Sequence, residues 1–214
     1  MNIWIKFKIT ENYSYYRIPP KIYRGAVRDG VFAYLRELTK MKKHTKKLVL
    51  SALFASLSLV ATLFFAFPLP TGYANLGDCF AFMAGFVLGG PWGTVAAGLG
   101  IALADLLGGY GIYAVATFII KAFIALCGAM AVKFSKERKI RSVVVIAALS
   151  LLAEAMMVLG YFFFESVFLG VGDAAIASLA GNLTQAAVGV VTSVVLAVVF
   201  TRNNKLSKII KELQ

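Results

Sequence analysis

GIYAVATFIIKAF, residues 111–123, holds a single lysine, Lys121, in an otherwise apolar run. Whether this run crosses a bilayer decides the fold, because a lysine at membrane depth needs a partner, a cavity or a ligand. The apolar residues continue to about 132 and stop at KFSKERKIR. Of the whole chain 60% is hydrophobic and 15% charged, with a mean hydropathy of +0.80. Soluble domains carry about 45–50% apolar and about 25% charged residues. The chain therefore reads as a polytopic membrane protein.

The net charge of +12 does not point to nucleic acid, because of where the charge sits. Twelve of the 22 basic residues precede Leu48, five lie between Lys133 and Arg141, and four follow Phe200. Only Lys121 falls inside an apolar run. Basic segments that flank greasy ones anchor and orient a membrane protein, whereas nucleic-acid readers gather charge on a folded polar face. The bilayer, and no nucleic acid, is the expected partner of this charge.

Residues 1–47 form a basic, aromatic N-terminal extension without a long apolar run. MKKHTKKLVLSALF reads as a natural start, which makes Met41 the expected first residue. From Leu48 to Phe200 six spans are expected, at about 48–67, 74–88, 92–107, 112–132, 143–164 and 175–200, followed by a basic tail at 201–214. The second and third are short, so they need neighbours around them. The loops after spans one, three and five lack Lys and Arg, while the segment before span one, the loop between spans four and five and the tail are basic. By the positive-inside rule both termini are then cytoplasmic. The expected fold is an all-α, six-helix transmembrane bundle.

Ionisable groups inside spans cost about 2.5–3.5 kcal/mol each on insertion scales and usually face a cavity or a partner. Lys121 is expected either to pair with Asp105 or Glu154 or to meet a substrate. Asp78 follows Asn75 and Gly77 and reads equally as a helix cap or a substrate contact. Asp105 reads first as a pairing partner. Glu154 and Tyr161, seven apart, share a helix face. Asn182 and Gln185, three apart, share another, either for interhelical hydrogen bonds or to line a cavity. Tyr110 and Tyr113 flank a glycine turn and offer faces for a flat ring; Tyr73 reads as part of an aromatic belt. Small residues at a spacing of four, Ser51/Ala55 and Ala52/Ser56, suit close helix packing inside the chain or a docking face for another membrane protein.

Some chemistry is missing. The one histidine, His44, stands among lysines, and Cys79 and Cys127 are isolated, so neither a metal site nor a catalytic triad is expected in the membrane. GGPWGT lacks the lysine of a phosphate-binding loop. An ATP-driven process would need partner subunits. No cofactor is expected, and the chain does not read as an enzyme.

YANLGD (73–78), GGPWGTVAAGLGIALADLLGGYGIYAVATFIIK (89–121), AEAMMVLGYFFFE (153–165) and GNLTQAAVGVV (181–191) occur in the order seen in one family. Over about residues 41–200 the chain resembles the substrate-binding S component of energy-coupling factor (ECF) vitamin transporters, most closely the branch for hydroxymethylpyrimidine, a thiamine precursor. The resemblance implies a bacterial plasma-membrane subunit that binds a small vitamin near the outer face under a lid, Pro68 to Leu76. It implies partners: a transmembrane coupling subunit, met by Ser51, Ala52, Ala55 and Ser56, and two ATPases. Asn75, Asp78, Asp105, Tyr110, Tyr113, Lys121, Glu154, Tyr161, Asn182 and Gln185 are the expected substrate-binding set. The alternative is a self-sufficient secondary transporter or channel for a small solute.

Overall fold

The computed structural model describes residues 3–9, 12–18, 42–69, 72–135 and 140–214, and it divides the chain into two compact units, Met1–Lys42 and Lys43–Gln214. In the first unit, β1 (Ile3–Ile9) and β2 (Asn12–Ile18) pair as an antiparallel ribbon, with Ile3 opposite Ile18 and Ile9 opposite Asn12. A start at Met41, the side chain of Tyr73 and most of the basic loop after residue 135 lie outside the described residues.

The second unit is helical. Its elements are α1 (Lys43–Phe64), α2 (Gly77–Leu88), α3 (Gly90–Leu107), α4 (Ala114–Phe134), α5 (Ile140–Phe163), α6 (Asp173–Arg202) and α7 (Asn204–Leu213). Between α1 and α2 the chain forms a small antiparallel hairpin, β3 (Ala66–Leu69) with β4 (Gly72–Asn75). A single tight turn, Gly111–Tyr113, leads into α4, and a wide π-helical turn, Phe164–Phe168, prolongs α5.

Five of these segments are long and apolar enough to cross a membrane: Lys43–Phe64, Gly90–Leu107, Gly111–Phe134, Ser142–Phe168 and Asp173–Arg202. Each leaves large apolar side chains exposed, among them Phe64, Leu99, Val115, Leu151 and Val191. Apolar side chains exposed along helix after helix suit lipid and not water. The chain is a multi-pass membrane protein.

The second expected span departs most from its expected bounds. Tyr73–Asn75 belong to β4, and the helix itself has 12 residues, so it is only about 18 Å long. It is also the most buried helix, with every residue but Phe80 inside. Glycines allow this. A Cβ on Gly85 would stand 1.6 Å from the Ala125 carbonyl oxygen of α4, and one on Gly128 would stand 2.1 Å from the Phe82 carbonyl oxygen. Backbones in such contact pack without side chains between them. At its far end α2 meets α7. Ile210 and Leu213 are buried there, and Gln214 Nε2 donates to the Phe86 carbonyl at 2.7 Å. The basic tail thus folds onto the bundle and covers the end that the short helix leaves open.

Candidate functional site

A cavity of about 260 Å³ lies inside the bundle, next to β4 and the turns at that end of the helices. Thr62, Asn75, Ile101, Asp105, Tyr110, Tyr113, Thr117, Lys121, Tyr161, Glu165, Ser178, Gly181, Asn182 and Gln185 line it.

Its floor is a chain of buried polar groups. Lys121 Nζ lies 2.5 Å from Asp78 Oδ1, and both side chains are almost fully buried. Gln185 Nε2 donates to Asp78 Oδ2 at 2.6 Å. Asn75 Nδ2 reaches Gln185 Oε1 at 3.4 Å, and the Gly77 N–H donates to Asn75 Oδ1 at 2.8 Å. One network therefore ties β4, α2, α4 and α6 together. In a low-dielectric interior such groups are costly unless paired, and here each is paired.

One side wall is aromatic. Lys121 Nζ sits 5.2 Å from the centroid of the Tyr161 ring, within cation–π range. The Tyr161 hydroxyl and Thr117 Oγ1 are 2.9 Å apart, and the Tyr113 ring lies 6.4 Å from that of Tyr161. At the mouth, Glu165 accepts from the Tyr113 hydroxyl at 3.3 Å and from the Ser178 hydroxyl. Asp105 differs from the others. It is 7% exposed and lines the cavity, yet its Oδ2 has no hydrogen-bond partner among the described residues.

Of the ten residues expected to bind substrate, eight line this cavity: Asn75, Asp105, Tyr110, Tyr113, Lys121, Tyr161, Asn182 and Gln185. Asp78 lies just behind the wall as the partner of Lys121, which corrects the expected pairing with Asp105 or Glu154. Asp78 does not cap α2 either. Asn75 satisfies the first N–H of that helix, leaving Asp78 free to turn inward. Glu154 is buried but outside the lining, packed against Gly189 of α6.

The fold, the cavity and the order of the polar segments can be set beside known proteins. Residues 42–202 match a family model described as "ECF-type riboflavin transporter, S component". The chain belongs to this S-component family. No curated protein matches it.

An S component is the membrane subunit that binds the vitamin for an ECF transporter, so this chain works as a substrate-binding transport subunit together with ECF partners. The four small residues expected to dock a partner divide between two faces. Ser51 and Ala55 turn inward: the Ser51 hydroxyl is buried, and a Cβ on Gly100 would stand 2.3 Å from the Ala55 carbonyl oxygen. Ala52 and Ser56 remain on the outer face, beside exposed Leu53, Leu57 and Val60. The reason is the helix period, which places residues one apart about 100° around the axis. Two interleaved pairs cannot both point the same way.

Four polar lining residues escaped the sequence reading: Thr62, Thr117, Glu165 and Ser178. Three carried a signal. Thr117 is four before Lys121, Glu165 four after Tyr161, and Ser178 four before Asn182. Each is the spacing that puts two residues on one helix face. Glu165 falls just past the expected end of span five, where a loop is expected; the π-helical turn instead carries it inward, as such turns often do at functional sites.

Proposed function

We propose that this S component crosses a bacterial plasma membrane six times, with both termini cytoplasmic, and captures riboflavin from outside. The six crossings are the five long helices and the sheathed α2. The hairpin β3–β4, the Gly108–Tyr113 turn and the Phe164–Gly172 segment connect helices at one end and contain no Lys or Arg, whereas Lys42–Lys47, Lys133 and Arg202 mark the other. Under the positive-inside rule the basic end is cytoplasmic, so the cavity opens outward beneath the hairpin.

The observation that carries the ligand reading is a wall that pairs tyrosine faces with an excess of acceptors. Asp105 and Glu165 line a cavity whose one ammonium, on Lys121, already serves Asp78. A ligand with a flat ring and many donors suits that wall. Riboflavin has both: its ring would lie against Tyr110, Tyr113 and Tyr161, its amide-like edge would face Asn182 and Gln185, and its hydroxylated chain would donate to Asp105 and Glu165. The family match favours the same vitamin. The cavity of about 260 Å³ falls just below the usual ~300–1,000 Å³ for small-molecule sites. The unpaired Oδ2 of Asp105 also favours a second ligand, hydroxymethylpyrimidine, whose exocyclic amine would donate to it.

Titrating riboflavin into the purified chain tests this. Its own fluorescence should be quenched by stacking, at submicromolar concentration, and excess hydroxymethylpyrimidine, thiamine or pyridoxine should not reverse the quench. Displacement by hydroxymethylpyrimidine with no riboflavin signal would move the assignment to the second ligand. Uptake should require a coupling subunit and two ATPases; uptake by the chain alone in liposomes would make it a self-sufficient transporter. Ala52→Trp, on the outer face of α1, should spare binding and block coupled uptake.

A further inference from the structure

One turn below the cavity floor, α5 and α6 hold a second polar group that no vitamin reaches. Glu154 is 1% exposed, and its Oε2 has no hydrogen-bond partner among the described residues. Its other oxygen, Oε1, would lie 2.2 Å from a Cβ built on Gly189, so the carboxyl rests on the bare backbone of α6. The hydroxyls of Ser150 and Ser193 are likewise buried and unpartnered. Ser150 is one turn before Glu154 on α5, and Ser193 one turn after Gly189 on α6. The two helices are consecutive and packed together, and they run in opposite directions. A step back along α5 and a step forward along α6 therefore lead to the same level. Three sealed side chains with unpartnered oxygens therefore lie where α5 and α6 meet.

The charge balance is uneven in the same place. Among the described residues four carboxylates are buried (Asp78, Asp105, Glu154 and Glu165) against one buried ammonium, on Lys121. Lys121 is taken by Asp78, Glu165 is held by two hydroxyls, and Asp105 faces the cavity. Glu154 alone has neither an ion pair nor a cavity beside it: Lys121 acts on it from beyond bonding distance, and its Oε2 has no donor among the described residues. An isolated carboxylate in such a medium is too costly to stay bare.

We propose that Glu154, Ser150 and Ser193 form a site for one small monovalent cation, a proton or a sodium ion, distinct from the vitamin cavity. The single charge of Glu154 sets the valence. The carboxylate and hydroxyl oxygens are hard donors suited to either ion. The charged groups that act on Glu154 are Asp78 of α2 and Lys121 of α4, with the Cys79 thiol close by; α6 presents only uncharged Gly189 and Ser193.

Thermal unfolding of the ligand-free full chain in detergent tests the site without reference to any vitamin. In one arm sodium chloride replaces choline chloride at fixed pH and ionic strength; in the other, pH is lowered in choline alone. Raising the true occupant from below its midpoint to ~100-fold above should lift Tm by roughly 5–10 °C. A rise with sodium identifies that ion, and a rise only with acidity identifies the proton. Glu154→Gln, which needs no counter-charge, should fold and lose the response. Ser193→Ala, a milder change, should move the midpoint several-fold toward higher cation. Flat Tm in both arms, an undiminished response in Glu154→Gln, or an unmoved midpoint in Ser193→Ala would each overturn the site.

Discussion

Two polar layers sit one helical turn apart on α6, at Gln185 and at Gly189. In the upper layer the charges of the cavity floor have partners from other elements: Lys121 has Asp78, and Asp78 has Gln185. In the lower layer Glu154 rests against a glycine beside two unpartnered serines. Both layers are equally deep in the fold, so burial alone does not distinguish a ligand wall from a structural or ion-holding layer. Partnering does. A satisfied network holds its shape and leaves selected edges, such as Asp105 Oδ2, for a guest. An unsatisfied one calls for a counter-charge of its own.

The strongest way to break this contrast is to remove a partner from the upper layer. Asp78→Ala would leave the Lys121 ammonium, 2% exposed, without its ion pair. Breaking a buried pair on one side costs about 3–5 kcal/mol, enough to lower Tm sharply or prevent folding in detergent. Replacing both partners together, Asp78→Leu with Lys121→Met, should recover most of that stability while vitamin binding stays lost. If the double variant is as unstable as the single one, the network matters through its shape and not through its charges.

Asp105→Asn probes the edge left open. It removes a charge but no hydrogen bond to Oδ2, so stability should hold or rise. A hydrogen bond to a charged group is worth about 1.5–3 kcal/mol, so the riboflavin Kd should rise roughly 10–100-fold, read by fluorescence titration. Unchanged affinity would mean that the carboxylate faces the cavity without touching the guest.

The sequence made the two layers unequally legible. Lys121, Glu154, Asn182 and Gln185 stand out because a polar residue in an apolar run has few bland explanations, and helix spacing placed them on inward faces. Which of them share a hollow depends on the axial level of each helix, and this is set by long-range contacts such as Gly85 on Ala125. No local pattern encodes that level. The same gap explains why Lys121 was matched to the wrong acid: Asp78 reaches it only because α2 is short, buried and tied at its start by Asn75. Glu165 was hidden differently, by a π-helical turn in a segment whose glycines suggest a loop. The membrane class and the helix order needed neither kind of information, since each span carries its own hydropathy.

In the lower layer, Gly189→Ala should be the more damaging change. The new methyl would meet Glu154 Oε1 at 2.2 Å, forcing the carboxyl or the helix to shift. Overpacking of this sort costs about 1–3 kcal/mol. Because the clash lies outside the cavity, Tm should fall while riboflavin affinity changes less than threefold. A large loss of affinity instead would show that the two layers move as one.

The smallest expected effect lies at the mouth of the cavity. Glu165 ties the turn before α4, through Tyr113, to the first part of α6, through Ser178. Glu165→Gln keeps the shape and one acceptor but lowers the strength of both hydrogen bonds, a change of about 0.5–1.5 kcal/mol. Since these bonds join elements around the opening and not the floor, the loss should appear as faster release: a several-fold higher koff by stopped-flow fluorescence, with kon and Tm nearly unchanged. A slower kon with koff intact would place Glu165 on the path of entry, where its charge draws a donor-rich guest inward, and would extend the partnered upper layer to the outer surface of the protein.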